Sequence, residues 1–522
     1  MSGGPQTLQL LQGSVPGIRK LAPYWYPYTT MAKERWLGRE ILEVVSTEFR
    51  DRSMEYYRYA LASGVTSING KVAKPDSIIK NGDRIENVVH RHEPPITSTP
   101  VKIIHYDKER EYLVINKPGS IPVHAAGRYY HHSLVQILYN DFGFDKVYSS
   151  FFPSYFSGLS FHLYQAINRL DRLTSGLMIV PLNADLARSL SAEFVNGSVR
   201  KEYVARCMGK FPAEEIVCEQ PLLTIDRQMG LNIVHPEGKP AKTVFNRIRY
   251  DENSRTSVVR CRPFTGRSHQ IRVHLQFLGH PIANDPIYSE DRIWGPSLGE
   301  GGIDVVPCDE RTAPAPPPHL QNGHSPEILS LGTNDDVPLD NKRKLLPRET
   351  GHDIGMGSPV PLSSEAVQVI TRLRNMKDED EDWSRWRDVV FRAKGALTPK
   401  SYRMPPLPPQ NNRRWGGEKH IPSIPPGTDN TTSSTDVECA DIVPQLSFDE
   451  ALARLPAMEA QAPAVDPNTG TLYCPDCYLP LHPDPIPEKL YIFLHALKYT
   501  TSLGSFETEM PEWASEGWEW KR

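Results

Sequence analysis

Apolar and polar positions change their rhythm several times along the 522 residues. Between residues 35 and 95 two helix-period stretches, about Glu40–Phe49 and Ser53–Ala62, end at Gly64. Glycine commonly stops a helix because it alone adopts the left-handed cap without steric cost. Strand-like segments follow, Val65–Lys71 around an Asn69-Gly70 turn and Ile78–Ile85 around Asn81-Gly82-Asp83. Asn-Gly between alternating residues is a strong hairpin signal. Residues 100–300 carry strand-like runs at Val101–Tyr106, Tyr112–Asn116, Leu177–Pro181, Tyr203–Met208 and Ser257–Arg262, with helical stretches at Ala184–Asn196 and His269–Leu278. The interleaving has no regular βαβ spacing, which predicts an α+β domain with a mixed, mainly antiparallel sheet.

From residue 301 the pattern lapses. Runs such as Ala313–Pro318 and Pro405–Pro409, and the Thr431–Thr435 cluster, predict a mostly disordered insert over 301–470. Within it Val367, Ile370, Leu373, Trp386 and Val390 keep near-helical spacing over Glu365–Lys394, interrupted by the acidic block Asp378–Asp382. Residues 471–522 regain order, with a helix expected at Leu490–Leu497 and aromatic anchors at Trp513, Trp518 and Trp520. The chain is thus expected to divide into an irregular lead-in (1–34), a small α+β unit (35–95), a chemically dense domain (96–300), the insert, and a tail packing back on that domain.

Composition sharpens this division. Residues 1–300 hold 20 of the 48 prolines, and 37 Lys+Arg against 30 Asp+Glu; the remainder holds 28 prolines, and 22 against 33. A basic front and an acidic, proline-rich back point to an anionic partner for the front. No apolar run reaches the 18 or so residues needed to span a bilayer, and the start reads as no secretory signal. Seven cysteines suit a reducing compartment. Cytoplasm is expected, with mitochondrion and nucleus left open. Cys474 and Cys477 form half of a zinc motif at best. Nucleotide-binding glycine motifs are absent from 100–300.

Three stretches carry candidate chemistry. Asn168–Leu177 reads NRLDRLTSGL, with Asp171 between Arg169 and Arg172; two flanking cations favour an ionised carboxylate. Pro263–Leu275 contains Thr265-Gly266-Arg267 turning into a helix that bears His269, Gln270 and His274. Lys201–Ala205 places Tyr203 in a strand. A metal site built on His269, His274 and Asp285 is the weaker reading of the second stretch; hydrogen bonds bracing a charged site suit those residues better.

The order RLD-x-x-TSGL, K-x-Y-x-A, then P-x-TGR-x-HQIR-x-HL-x-x-x-GHPI-x-x-D resembles the RluA-type pseudouridine synthases. Asn116–Gly119 with Pro122–His124 resembles the family's first motif. Lys33–Gly38, VSTEFR at 45–50 and VHRHEPP at 89–95 resemble its eukaryotic branch, which includes fungal tRNA position-32 synthases. The unit at 35–95 resembles an S4-type RNA-binding domain. The resemblance implies isomerisation of uridine to pseudouridine in RNA, tRNA first, by a monomer, with no cofactor, metal or membrane. It makes Asp171 the catalytic carboxylate, Arg267 its ion-pair partner and Tyr203 the ring that stacks on the target base. It assigns RNA contacts to Arg169, Arg172, Lys117 and His124, and on the S4-like arm to Lys71 and Lys80. Asn168 stands where most of the family has His, which keeps open a second reading: an RNA-binding or RNA-folding protein with impaired catalysis.

Overall fold

A computed structural model of the chain describes residues 10–12, 16–48, 57–144 without 59 and 62–63, 170–226, 230–306, 358, 360, 362–381 and 484–520. The N-terminal unit begins earlier than its polarity suggests. β1 (Leu10–Gln12) and β2 (Ile18–Leu21) pair, and β3 (Tyr24–Met31) follows in what the sequence reads as irregular lead-in. β3 runs antiparallel to β6 (Arg84–Arg91) over its full eight residues. Its Tyr-Trp-Tyr-Pro pattern hides a strand because the pairing comes from sixty residues away. α1 (Ile41–Glu48) buries Ile41, Leu42, Val44 and Val45 against Trp36, Tyr57, Leu61, Ile79 and Ile85. β4 (Thr66–Ile68) and β5 (Lys71–Val72) form the expected hairpin. Asn69 (φ 53°) and Gly70 (φ 74°) both take the left-handed conformation that such a tight turn requires. β7 (Ile96–Thr97) joins β2 and leads into the larger domain.

That domain is built on a nine-stranded sheet. It comprises β8 (Lys102–Asp107), β9 (Tyr112–Lys117), β10 (Ser175–Pro181), β11 (Arg200–Met208), β12 (Ile216–Cys218), β15 (Thr243–Asp251), β16 (Thr256–Pro263), β17 (Leu494–Thr501) and β18 (Gly504–Glu507). The spatial order is β12-β15-β16-β11-β17-β10-β9-β8, with β18 folded back on β17. Among the described strands only β10 and β17 pair in parallel. The sheet is therefore mixed and mainly antiparallel, as expected. α2 (Leu134–Phe142) and α3 (Ala184–Val195) accompany it, and Leu134, Ile137, Leu138 and Leu190 join the sheet's apolar side chains in one core.

β17 corrects the helix expected at Leu490–Leu497. The tail does not pack on the outside: it supplies a central strand between β10 and β11. Two glycines make room for it. A Cβ on Gly176 (φ 118°) would lie 2.3 Å from the Ala496 carbonyl oxygen, and one on Gly119 would lie 2.3 Å from Tyr491 Cβ. The three tryptophans do anchor the tail: rings of Trp513, Trp518 and Trp520 lie 5.3–5.4 Å from the Phe493 ring. Trp513 is buried.

A second core gathers around the hairpin of β13 (Leu222–Asp226) and β14 (Leu231–Val234), with α4 (Gln270–Phe277), α5 (Asp291–Trp294) and α6 (Ser364–Glu381). The helical spacing at 367–373 thus marks a real helix, whose Val369, Ile370 and Leu373 are buried here. Arg374 Nε donates to Asp226 Oδ2 at 2.9 Å and ties α6 to the hairpin. The helix continues through the start of the acidic block instead of breaking there. Trp386 and Val390, residues 307–357 and 382–470 of the insert, and Cys474-x-x-Cys477 lie outside the described residues. No helix among the described residues is long and apolar enough to cross a membrane.

Candidate active site

Asp171 sits in the turn entering β10. Leu170 and Leu173 are buried on either side, and Thr174 N–H donates to the Asp171 carbonyl at 3.1 Å. The turn therefore has little freedom, and it leaves the carboxylate 30% exposed. Lys117, at the end of β9, closes the turn from behind. It is wholly buried, and its Nζ donates to the carbonyls of Pro118 (2.9 Å), Ile121 (2.9 Å) and Arg172 (3.4 Å). Burial pulls its pKa down from 10.5 to about 7, against the field of Asp171, which raises it. Lys117 is thus a brace for the turn, and its burial keeps it from the RNA contact that the resemblance implies.

The guanidinium facing Asp171 belongs to Arg272, not to Arg267. Arg272 Nη1 lies 3.4 Å from Asp171 Oδ2. Its other nitrogens form a bidentate pair with Asp285, Nε to Oδ2 at 2.6 Å and Nη2 to Oδ1 at 2.8 Å. Asp285 also accepts the backbone N–H groups of Ile287 (2.9 Å) and Tyr288 (3.1 Å). The Tyr288 ring lies 4.9 Å from Arg272 Cζ. An arginine gripped on three sides keeps one fixed direction for its remaining N–H groups, so the carboxylate meets a preset positive charge. Despite burial, the carboxylates push the Arg272 pKa further up. Arg267 is exposed, and its Nε donates to the Pro240 carbonyl at 2.9 Å.

His269 approaches Asp171 from the other side, Nε2 to Oδ2 at 3.6 Å. Its Nδ1 lies 2.9 Å from the Tyr288 hydroxyl, which accepts the Asn232 N–H at 3.1 Å. With that oxygen already accepting, its proton is best placed toward Nδ1, and the proton of His269 falls on Nε2, toward Asp171. Gln270 holds the Thr265-Gly266-Arg267 turn: its Oε1 accepts from Thr265 Oγ1 (2.7 Å) and Arg267 N–H (3.0 Å). His274 spends Nδ1 on Thr243 Oγ1 and Nε2 on the Gln220 carbonyl, both at 2.9 Å. Burial lowers its pKa to about 4, so it stays neutral. Both ring nitrogens are engaged, which leaves His274 structural and removes it from the metal reading.

Tyr203 lies on β11, directly beside β17, and its hydroxyl is 2.7 Å from that of Tyr499. Tyr499 is fully buried, and Tyr203 is 8% exposed. One strand over, His495 bridges Ser175 Oγ (2.8 Å) and Thr508 Oγ1 (2.7 Å), behind the motif that carries Asp171.

The remaining assigned contacts scatter. Arg172 is half-buried with its Cζ 5.5 Å from the Tyr129 ring, and His124 is half-buried at the end of the first motif. Lys71 and Lys80 are exposed on the N-terminal unit. Arg169 and Asn168 lie outside the described residues. Sequence reasoning assigned no role to Arg272, Tyr288 or Tyr499. Arg272 stood in the quoted HQIR motif, but Arg267 drew attention by sitting in the turn. Tyr499 had no signal at all, since its strand read as a helix.

Residues 111–277 match the family model described as RNA pseudouridylate synthase. This chain belongs to that family, whose members are isomerases. It is 44% identical over 323 residues to the mitochondrial tRNA pseudouridine(32) synthase of Saccharomyces cerevisiae, covering 60% of this chain and 65% of that one. It is 33% identical over 504 residues to human pseudouridylate synthase RPUSD2, covering 96% of this chain and 74% of the human one. It is 30% identical to the ribosomal large subunit pseudouridine synthase C of Salmonella typhimurium, over 59% and 91%.

Proposed function

We propose that this protein isomerises uridine to pseudouridine in tRNA, with Asp171 as the catalytic carboxylate and Arg272 as its fixed counter-charge. The supporting observation is the Asp171–Arg272–Asp285 chain, which holds a partly exposed carboxylate against a guanidinium that cannot turn away. The reaction breaks the N1–C1′ bond, turns the uracil and rejoins it through C5. An ionised Asp171 serves whether it adds at C1′ or drives elimination at the sugar, and Arg272 offsets the negative charge in either route. Tyr203 offers a ring to stack on the flipped base and a phenol to relay the C5 proton, and its hydroxyl is already oriented by Tyr499. The target must leave its stack before Asp171 reaches it. No cofactor enters this scheme. On this reading the N-terminal unit is an S4-like arm, and the exposure of Lys71 and Lys80 supports their contact with phosphates. The name of the yeast relative favours tRNA as substrate and mitochondria as one site of action.

The test is pseudouridine mapping of cytosolic and mitochondrial RNA with and without the gene, rescued by wild type or Asp171→Ala. Sites restored by wild type alone establish enzyme, substrate and compartment. If no site changes while the purified protein binds tRNA, the reading becomes that of an RNA-binding relative impaired at Asn168. Purified Asp171→Asn is expected to lose isomerisation while binding RNA nearly as before, because one carboxylate adds little to phosphate contacts.

A further inference from the structure

A line of rings and arginines leads from Asp171 to the N-terminal sheet, and the chemistry above uses none of it beyond Arg172. Arg172 Cζ lies 5.5 Å from the Tyr129 ring. The next residue, Tyr130, packs against Tyr26 of β3 with ring centroids 4.9 Å apart. Arg91, at the end of β6, stacks on Tyr26 at 4.2 Å and reaches within 5.9 Å of Tyr130. Arg128 is exposed in the same loop. Arg91, Arg128 and Arg172 have no carboxylate partner among the described residues.

The loop that presents Tyr129 and Tyr130 is built, not incidental. Glu93, buried just beyond β6, accepts the backbone N–H groups of Tyr130 (2.9 Å), His131 (2.8 Å) and His132 (2.9 Å) and the hydroxyl of Tyr24. Burial raises the cost of its charge, yet the Tyr24 hydroxyl and the three amides hold its pKa below the ordinary value. One carboxylate thus welds a loop of the larger domain to a strand of the smaller unit.

We propose that Tyr26, Tyr130, Arg91 and Arg172 form a stacking ledge for unpaired nucleotides beside the target uridine, so that the protein selects single-stranded loops. This rests on the RNA-modifying reading of Asp171, since it is that residue which brings RNA to the ledge. Side-chain rings stack on bases only where the base faces are free, and a duplex has none to offer within its stack. Arginines without carboxylates remain available to the phosphates between such bases.

The experiment uses the full chain carrying Asp171→Asn, so that bound RNA is not converted. Two probes are compared: a stem–loop RNA with a uridine-containing loop, and a blunt duplex of the same stem. Tyr26→Ala, Tyr130→Ala and Arg91→Gln are each expected to weaken stem–loop binding by about tenfold or more relative to the duplex. Tyr26→Phe and Tyr130→Phe, which keep the ring, should retain the preference. Equal losses on both probes, or none, would overturn the ledge, as would loss of preference in the Phe variants when their melting temperature is unchanged. The two readings fail separately. Isomerisation by wild type without any loop preference sinks the ledge alone, and loop preference without isomerisation sinks the enzyme alone.

Discussion

Replacing Arg272 separates two tasks that its guanidinium performs. Arg272→Ala leaves Asp285 buried without its partner, and such unpaired charge costs about 3–5 kcal/mol. Adding Asp285→Asn to that variant removes the stranded charge. We expect urea unfolding to show part of the stability restored, with isomerisation still absent because Asp171 has lost its counter-charge. Activity returning along with stability would assign Arg272 a purely structural part. Lys117 gives a pH signature. Its folded pKa is pulled from 10.5 to about 7, so between those values the folded state holds fewer protons than the unfolded one. Stability from this group therefore rises with pH across that window, by on the order of 2 kcal/mol from pH 7 to 9, and not below it. Lys117→Met should flatten the rise; an unchanged slope would show that the amine stays charged. Residues of this kind explain what a sequence shows at this scale. Asp171 stands out between its two arginines, whereas Tyr203 reads as a core residue until its motif is set beside the others. Which of two arginines in one motif faces Asp171 depends on a helix start, five residues of rotation, and a partner at Asp285 that no spacing reveals.

At the level of elements, the strands of 100–208 and 257–262 were legible because alternation or short apolar runs with turn signals mark them. β17 was not. Its first half is buried on both faces, as suits a strand in mid-sheet, and the apolar run leading into it has no period that tells strand from helix. The deciding evidence lies elsewhere in the chain, in glycines that look like turn residues. Gly176 takes φ 118° and has the Ala496 backbone where a side chain would stand. Gly176→Ala is therefore expected to push β17 out of register and cost at least about 2–3 kcal/mol. The displaced strand takes Tyr499 away from Tyr203, so activity should fall further than the loss of folded protein accounts for. Comparing active-site titration with melting temperature tests this. A normal rate per folded molecule would detach Tyr499 from the chemistry.

Across the whole molecule, two deletions of similar length have opposite expected outcomes, and the reason is where the flanking residues lie. Asp304 Oδ2 accepts the Ser363 N–H at 2.9 Å, and Ser363 Oγ donates to the Ile303 carbonyl at 3.3 Å. The chain therefore leaves and re-enters the second core at one place. Excising 310–350 keeps enough residues to close that gap, and shortening the loop lowers its closure cost by only about 1 kcal/mol. The proline-dense composition of that stretch offers little apolar surface to lose. Its melting temperature and isomerisation rate should match the full chain within error, and a large drop would mean that the segment packs on the core. Removing 484–522 takes away β17 from between β10 and β11, exposes two strand edges in mid-sheet, and strips Phe493, Trp513 and Tyr499 from the main core. Unpaired central edges pair with other chains. That truncation should give insoluble protein. Supplying residues 484–522 as a separate peptide during refolding should recover soluble, active material, because what the core lacks is the strand itself and not the chain that leads to it.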